Sequence, residues 1–514
     1  MEPPEPAAIE TPGVGSRWAV LALLSASLLI IAMDTTILNV ALPALIADLR
    51  ANSVEQLWIV DGYALALSGL LVTAGAMGDR TGRRRILLIG YGIFGLASLG
   101  AVLSVTPWQL IASRAGLGVG GAAIMPATLS MLRQAFTDPR ERTFAFGVWS
   151  AVFGAGMALG PLLGGLLLHH FDWHAVFVIN VPIVMVAMVL GRWLLPDYRR
   201  PVPDRWDWAG VVLSVLAIVG LANAIKIAGR NGLGDPVVWV SVTVAVVAGY
   251  AFVRNSLRRR NPLLQVRLFT QRTFTGAVLA IVLAMFGVVG LLFLASQWLQ
   301  YAQGDTALAA GVRLLPLPLA LIAGTLTAPL LIQRVPPRYV LGLALLVVAV
   351  GMALPWLTSR TGAATYPVVA VFLALTGLGS GVAATVASVL VMASSPPELA
   401  GGAAAVDEIS YELGGAFGVA ALGSLAVRLY RHYLPVLPAR HAQAAESVGN
   451  AAAISTDLGH PPGTGGPLAG AFTAFGHAFG TTALVSAVVL LLAAVLSLIL
   501  VPSRHAAARR APVA

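Results

Sequence analysis

The sequence contains about fourteen apolar stretches that are each long enough to cross a lipid bilayer, because a helix needs about 20 apolar residues to do so. Hydrophobic residues make up 58% of the 514 residues and charged residues only 11%, whereas soluble domains carry about 25% charged residues. A bilayer offers no water to the backbone, so these stretches must form helices. We therefore predict an all-α integral membrane protein with fourteen transmembrane helices.

The apolar stretches form two groups of six, with an extra pair between the groups. Two six-helix halves with a binding site between them near the membrane mid-plane are a common transporter plan. We predict a disordered cytoplasmic tail at 1–16, a six-helix bundle at 17–195, a linker with two extra helices at 196–271, a second six-helix bundle at 272–502 and a cytoplasmic tail at 503–514. The second bundle includes a long outer connection at 428–479, which we expect to be a mobile surface loop rather than a lid.

Arginines are concentrated in alternate loops, for example at Arg83–Arg85 and Arg258–Arg260. By the positive-inside rule these loops and both termini are expected in the cytoplasm. The basic residues form no continuous face, so the net charge of +10 does not indicate a nucleic-acid partner. The sequence has no cysteine and no phosphate-binding GxxxxGK[ST] loop, which argues against a Cys-ligated metal site and against direct use of ATP. We predict no metal site and no enzymatic activity.

Five carboxylates lie inside apolar stretches: Asp34, Asp61, Asp407, Glu408 and Glu412. A charged side chain near the bilayer centre costs about 2.5 kcal/mol or more. Each acid must therefore be neutralised, be paired or face a water-filled cavity. All three situations indicate a protein that binds or transports protons or cations.

In the first half, Asp34, Asp61 and Arg114 are expected within roughly 6 Å of one another in depth, at 1.5 Å per helical residue. An acid that alternately gains and loses an arginine partner releases and binds a proton. We therefore predict that Asp34 and Arg114 form the proton-coupling element; the alternative is a static buried ion pair. Lys226, in the extra pair, is expected to extend toward the outer surface.

In the second half, Glu408 and Glu412 are four residues apart and so share one helix face. Asp407 lies about 100° around the helix from Glu408, and no basic partner is apparent in the sequence. A helix end that reaches cytoplasmic water is an alternative explanation for Asp407. We predict that Asp61, Asp407, Glu408 and Glu412 line the substrate site.

The loop after the second stretch reads GAMGDRTGRRR from residue 75. Gly82 permits a tight reversal, and an acid among arginines is able to latch neighbouring helices through charge-assisted hydrogen bonds. A simple positive-inside cluster is the alternative, which the spaced glycines and the Asp disfavour. The predicted gating loop consists of Gly75, Asp79, Arg80, Gly82, Arg83 and Arg84.

The fifth stretch carries Gly156, Gly160 and Gly164 at a spacing of four residues, followed by Gly165. Such a stripe lets another helix approach closely, and Pro161 interrupts the helical hydrogen bonds. A generic packing face is the alternative to a functional motif.

Several of these motifs resemble those of the major facilitator superfamily. The loop from Gly75 matches the superfamily signature G-x-L-a-D-r-x-G-r-r/k, with Met77 in place of Leu. The pair Gly160-Pro161 resembles the antiporter motif of drug exporters, which importing symporters generally lack. The stretch from Asp34 to Pro43 is similar to the L-D-x-T-I-V-N-V-A-L-P stretch of fourteen-span drug:proton antiporters. Residues 407–414 resemble the Qac-type branch, although the tenth stretch, with Arg313, lacks an acid that some members of the branch have.

The resemblance implies a proton-driven antiporter of the bacterial cytoplasmic membrane that exports lipophilic and quaternary ammonium cations and related antibiotics by alternating access. It implies protons and cationic small molecules as partners within the lipid bilayer, no cofactor apart from the proton gradient, and a monomer. An exporter dedicated to one antibiotic or natural product is the main alternative. A proton-coupled importer is disfavoured by the Gly-Pro pair, and a non-transporting membrane sensor would not need acids in both halves.

Overall fold

The structure is a computed structural model that describes residues 14–136, 138–195, 207–259, 262, 264–361, 366–395, 400–436, 439–460, 462 and 466–501, and no strand occurs among them. The α-helices are α1 (Val14–Leu49), α2 (Ser53–Thr81), α3 (Arg83–Val102), α4 (Pro107–Ala135), α5 (Pro139–His170), α6 (Ala175–Val178), α7 (Asn180–Leu194), α8 (Trp208–Asn231), α9 (Pro236–Arg258), α10 (Arg272–Gln297), α11 (Ala307–Leu314), α12 (Pro316–Arg334), α13 (Pro337–Thr361), α14 (Tyr366–Ala393), α15 (Ala400–Tyr433), α16 (Val448–Asp457) and α17 (Ala469–Leu500). A π-helical turn (Trp298–Ala302) extends α10, and short 3₁₀ helices cover Val266–Thr270 and Ala439–Ala445.

Within the described part of the chain, thirteen helical segments are long and apolar enough to cross a membrane. Two of them are built from helix pairs, α6 with α7 and α11 with α12. The helix α2, with 29 residues, completes fourteen long segments in the predicted order. The predicted all-α membrane fold is confirmed.

The two bundles use the same packing pattern. In the first bundle α1 packs on α5, α2 on α4, and α3 on both α4 and α7. The second bundle repeats this pattern, with α10 on α15, α12 on α14, and α13 on both α14 and α17. Each bundle therefore places its first and fifth segments side by side, and these segments carry most of the membrane acids.

The extra pair lies against both bundles on one side. Helix α8 packs against α2 and α15, and Leu65, Ala222 and Ala416 of these three helices form one small buried cluster. Helix α9 packs mainly on α8 and exposes apolar side chains such as Val240 and Val246. The pair is therefore attached through α8, while α9 presents an apolar face suited to lipid.

The two bundles meet at one end of the molecule, which we call the closed end; α1 ends and α2 begins there. Ser296 Oγ of α10 donates a hydrogen bond of 2.5 Å to the Asn39 carbonyl of α1, and Gln300 Nε2 lies 3.2 Å from the Val40 carbonyl. The opposite end, where α2 joins α3 beside Arg84, we call the basic end. Among the residues that the structure describes, the hydrogen bonds we find between the bundles lie toward the closed end.

The predicted outer loop at 428–479 contains ordered structure that covers the closed end. Ser447 caps α16 by accepting a hydrogen bond from the Asn450 backbone amide. Its hydroxyl also accepts a hydrogen bond of 3.1 Å from Gln56 Nε2 of α2. Ala451 and Ala452 are buried. The expectation of a mobile surface loop is therefore wrong for this helix, because its small residues let it pack closely against the first bundle. The predicted tails lie outside the described residues except for 14–16, which begin α1.

Candidate functional site

Asp34 of α1 and Arg114 of α4 form a buried ion pair inside the first bundle. Arg114 Nη1 donates to Asp34 Oδ2 at 2.5 Å, and the two side chains are 2% and 0% exposed. Arg114 Nε donates to the Ile59 carbonyl at 3.2 Å. The predicted proximity of Asp34 and Arg114 is confirmed, and a carboxylate and guanidinium this deeply buried stabilise each other's charge.

Asn180, which the sequence reasoning missed, completes the surroundings of Asp34. Its Nδ2 lies 3.3 Å from Asp34 Oδ1, so both carboxylate oxygens have a donor. Asn180 is the first residue of α7, directly after the break at Ile179 between α6 and α7. A lone amide within an otherwise apolar stretch was the available sequence signal.

Tyr63 of α2, also missed from the sequence, lies between the charged groups of the two bundles. Arg114 Cζ is 4.8 Å from the centre of its ring. The side chain is buried, and its hydroxyl has no hydrogen-bond partner among the described residues. Tyr63 is within electrostatic range of both Asp34 and Glu412. The proton-coupling candidates and the acids of the second bundle are therefore close enough to influence one group.

Asp61, assigned from the sequence to the substrate site, is paired with a lysine from the extra helices. Lys226 Nζ of α8 lies 2.9 Å from Asp61 Oδ2, and both side chains are almost completely buried. The same ammonium lies 3.7 Å from the centre of the Trp58 ring. The expectation that Lys226 extends to the outer surface is wrong, because a buried carboxylate and an aromatic face hold it inside.

The acids of α15 fall into two situations. Asp407 accepts from Ser388 Oγ of α14 at 2.9 and 3.0 Å, and that hydroxyl also lies 3.0 Å from the Tyr411 hydroxyl. Glu408 and Glu412 are half-buried, and neither has an ion-pair partner among the residues described. Asp407 is therefore attached to α14, whereas the carboxylates of Glu408 and Glu412 remain open to interaction with a cation.

The predicted gating loop turns sharply at Gly82, whose φ of 106° lies in the region that favours glycine. Arg84 donates a hydrogen bond to the Arg192 carbonyl at the end of α7, which links two helices of the first bundle. Gly75 faces Pro126 of α4, and Arg83 is half-buried. The side chains of Asp79 and Arg80 lie outside the described residues.

The glycine stripe of α5 contacts both bundles. A β-carbon at Gly156 would lie 2.9 Å from the Leu29 carbonyl, and one at Gly164 would lie 2.9 Å from Ile37 Cγ1, both on α1. On the neighbouring face, a β-carbon at Gly165 would lie 2.5 Å from Leu308 Cα of α11. Only glycine fits at such distances, so the stripe lets α5 join α1 to the second bundle at the closed end.

Gly160 and Pro161 occupy the centre of this contact. A β-carbon at Gly160 would overlap Thr36 Oγ1 and lie 2.9 Å from the Met33 carbonyl. Pro161 offers its carbonyl to the close approach of Gly311 on α11. The pair therefore places backbone against backbone across the two bundles, which a helix with larger side chains would prevent.

Among the described residues, no cluster of three or more His, Asp and Glu side chains is arranged to hold a metal ion.

Comparison with known proteins shows a match to one protein family and similarity to several individual proteins. The family model of the Major Facilitator Superfamily matches residues 24–419. The chain is 39% identical over 482 residues to the multidrug efflux pump LfrA of Mycolicibacterium smegmatis, covering 93% of this chain and 95% of that protein. It is 35% identical to the methyl viologen resistance protein SmvA of Salmonella typhimurium, covering 87% and 91% of the two chains. It is also 35% identical to the puromycin resistance protein pur8 of Streptomyces alboniger, covering 98% and 95%.

A solved structure supports the fold alone. A bacterial homologue of the human lysosomal transporter Spinster, in an inward-facing and unoccupied conformation, superposes with a TM-score of 0.63. The alignment covers 95% of this chain and 98% of that chain at 16% identity. The helical arrangement is therefore shared across a wide sequence distance.

Proposed function

The chain belongs to the major facilitator superfamily, and we propose that within it the protein is a proton-driven antiporter that exports lipophilic cations by alternating access. The proposed location is the bacterial cytoplasmic membrane, with the basic end and both termini in the cytoplasm, as the positive-inside rule favours. The proposed working unit is a monomer that is driven by the proton gradient and needs no cofactor. Two groups of acids, one in each bundle, support this proposal.

One observation carries the proposal: Glu408 and Glu412 are half-buried carboxylates without an ion-pair partner among the described residues, facing a bundle in which Asp34 is paired. Unpaired acids in a low-dielectric site attract positive charge strongly. Apolar walls around them accept ligands of many shapes. A lipophilic cation satisfies both requirements, whereas an anion would be repelled by the acids.

Proton coupling would use the Asp34–Arg114 pair. When a proton from the outside binds Asp34, the carboxyl loses its charge and the hydrogen-bonded ion pair with Arg114 weakens. When the protein faces the cytoplasm, the Arg114 guanidinium approaches Asp34 again and the proton leaves. Asn180, which donates to the second oxygen of Asp34, would help to define the deprotonated state. This cycle supplies a difference in proton affinity between the two faces, as antiport requires.

The direction of transport is supported by the glycine stripe of α5 and by the relatives. The stripe lets the two bundles approach closely at the closed end, which would face outward, and the acids would then be reached from the cytoplasm. The names of LfrA, SmvA and pur8 describe those proteins as a multidrug efflux pump and as resistance proteins. Export of a toxic compound would account for both kinds of name.

The test is ethidium transport in proteoliposomes with an imposed pH gradient. Wild-type protein should move ethidium against its gradient when protons flow the other way, and movement that ignores the gradient would refute antiport. Asp34→Asn should abolish gradient-driven transport while preserving ethidium binding, and Glu412→Gln should weaken binding itself. The control is Asp48→Asn, because Asp48 accepts from Trp173 Nε1 at 2.8 Å away from both acid groups.

A second candidate is an exporter dedicated to one antibiotic. The similarity to pur8, and to the tetracenomycin C resistance and export protein of Streptomyces glaucescens at 33% identity over 427 residues, favours it. Competition experiments distinguish the two candidates. A dedicated exporter would transport one compound, and structurally unrelated lipophilic cations would not compete with it, whereas a multidrug exporter would show mutual competition.

A further inference from the structure

Lys226 is the only lysine in a chain that carries 32 Lys and Arg residues together. All other fixed positive charges are arginines, yet this one lies within the membrane-spanning helix α8, five residues before its end at Asn231, and is 1% exposed. A buried ion pair is seldom retained for stability, because apolar side chains of similar volume stabilise a protein at least as well. The position therefore calls for a functional explanation, and lysine differs from arginine in being a compact, mobile point charge.

The surroundings of the Lys226 ammonium have the chemistry of a cation-binding site. A carboxylate, Asp61, lies 2.9 Å away, and the face of an indole ring, Trp58, lies 3.7 Å away. An acid together with an aromatic face is the combination that recognises organic ammonium ions. Asp61 and Trp58 are three residues apart on α2 and so point to one side of that helix.

The pair is close but poorly aligned. Neither Asp61 oxygen nor Lys226 Nζ has a hydrogen-bond partner with suitable angles among the described residues. Arg114, a buried cation of α4, which also packs against α2, is bound to Asp34. Lys226 is therefore the cation that neutralises the charge of Asp61, and it lies on a helix that belongs to neither bundle.

Helix α8 is placed so that its position depends on both bundles. Close to Lys226, Gly229 packs directly against Ser424 of α15. Toward the other end, Val215 Cγ2 would lie 3.2 Å from a β-carbon at Gly69 of α2. Because α2 and α15 belong to different bundles, a change in their relative position must alter the contact between α8 and at least one of them.

We propose that Lys226 is a tethered competitor of the exported cation: its ammonium occupies a cation subsite formed by Asp61 and Trp58, which the exported cation takes when α8 moves away from α2. This inference rests on the proposed export of lipophilic cations and adds a subsite near the closed end. In the structure described here the subsite is filled by the protein's own amine. Return of Lys226 would displace the cation and so promote its release.

The first test uses the single lysine as a reporter. Purified full-length protein is treated with sulfo-NHS acetate with and without saturating ethidium, and acetylation of Lys226 is measured by mass spectrometry against the N-terminal amine. Displacement predicts slow acetylation without ethidium and an increase of about tenfold with it, if the lysine is freed in most molecules. An unchanged or lower rate in the presence of bound ethidium would overturn the proposal.

The second test measures ethidium affinity without any gradient. Lys226→Met removes the charge but keeps an unbranched apolar side chain, and it should tighten binding by about tenfold if Lys226 fills the subsite in about nine molecules of ten. The double variant Asp61→Asn with Lys226→Met should lose that gain, and Trp58→Leu added to Lys226→Met should lose part of it. Lys226→Arg, which retains a competing charge, is the matched control and should show no gain.

The outcomes separate this proposal from the one on which it rests. Unchanged or weaker ethidium binding in Lys226→Met would make the ion pair purely structural and leave proton-driven export standing. If Lys226→Met does not fold, Lys226→Gln and the acetylation of wild-type protein decide the question. Conversely, a protein that gains affinity through Lys226→Met but transports ethidium without regard to the pH gradient would refute antiport alone.

Discussion

Ser296 of α10 donates its hydroxyl to the backbone carbonyl of Asn39 in α1 at 2.5 Å, directly across the junction of the two bundles. Gln300, one turn further along, donates to the Val40 carbonyl at 3.2 Å. Both side chains are buried, and the Asn39 carbonyl lacks its usual helical donor because Pro43, four residues further along α1, has no backbone N–H. These contacts favour the conformation that is shut at the closed end, and the balance between the two conformations therefore depends on them.

Removing these two side-chain donors should shift the protein toward the conformation that is open at this end. A buried hydrogen bond contributes about 1 kcal/mol, so Ser296→Ala with Gln300→Ala should change the ratio of conformations by about tenfold to thirtyfold. Because the chain has no cysteine, spin labels at Asp172→Cys and Gln303→Cys give an unambiguous distance between the bundles. The distance distribution should gain a longer component.

The control is Thr327→Ala, since Thr327 Oγ1 donates to the Ala323 carbonyl within its own helix α12. It removes a hydroxyl without touching the junction and should leave the distance unchanged. An identical distribution in the double variant and the control would mean that the junction is held by packing rather than by these hydrogen bonds.

Variants around the Asp34–Arg114 pair should lose different amounts of stability, depending on whether they leave a charge buried without its partner. Asp34→Asn leaves the Arg114 guanidinium buried without its counter-ion, which costs about 3–5 kcal/mol. Asn180→Ala removes one donor to a charged acceptor and should cost about 1.5–3 kcal/mol. Thermal unfolding in detergent should therefore rank wild type, Asn180→Ala and Asp34→Asn in decreasing order of Tm.

Adding Arg114→Gln to Asp34→Asn should recover part of the lost Tm, because the double variant no longer buries an unpaired charge. If the double variant is less stable than Asp34→Asn, Arg114 contributes mainly through its hydrogen bond to the Ile59 carbonyl and the ion-pair interpretation is wrong.

Gly160 should tolerate no side chain. Gly160→Val places methyl groups against Thr36 and the Met33 carbonyl of α1, and such overpacking costs about 1–3 kcal/mol or more. We expect a lower Tm and loss of ethidium transport in proteoliposomes. Gly249→Val is the matched control, because a β-carbon there would meet only Ala217 Cβ at 3.9 Å. Equal transport by both variants would contradict a role for close helix approach.

Much of the fold is predictable from the sequence, since the length and spacing of apolar stretches determine the number and order of membrane helices. The contact between Asp34 and Arg114 is also predictable, because both lie at similar depth on helices of one bundle. The partner of Asp61 is not, since Lys226 lies 165 residues further along the chain on a helix outside the bundles. Periodicity carries no information on which helices become neighbours across such distances.

The helix α16 shows a second limit of the sequence. Its residues, VGNAAAISTD, have the small, weakly apolar composition that indicates a surface loop when read alone. They become an ordered helix because Gly449 lies close to Ile46 of α1 and Ser447 bonds with Gln56 of α2. Tertiary packing supplies most of the stability of a short helix, so its presence depends on a surface that the local sequence does not reveal.

The acids of α15 should contribute unequally to cation binding. Glu412→Gln removes a carboxylate that has no ion-pair partner in the described residues and lies near Tyr63, so ethidium affinity should fall by about tenfold or more, which corresponds to about 1.4 kcal/mol. Asp407→Asn should have a smaller effect, because Ser388 already binds that carboxylate. Equilibrium binding to purified protein measures both, and Glu446→Gln, in the connection before α16, is the control.

A dication should separate Glu408 from Glu412 more clearly than ethidium does. Methyl viologen carries two positive charges, and each charge is stabilised best by its own carboxylate in a low-dielectric site. Glu408→Gln should therefore weaken methyl viologen binding by a larger factor than it weakens ethidium binding. Glu408 and Glu412 share one face of α15. The loss of methyl viologen binding free energy in the double variant should therefore not exceed the sum of the losses in the two single variants. Equal losses for the two ligands in Glu408→Gln would show that Glu408 does not bind the second charge, and unchanged affinity for both would show that only Glu412 meets the substrate.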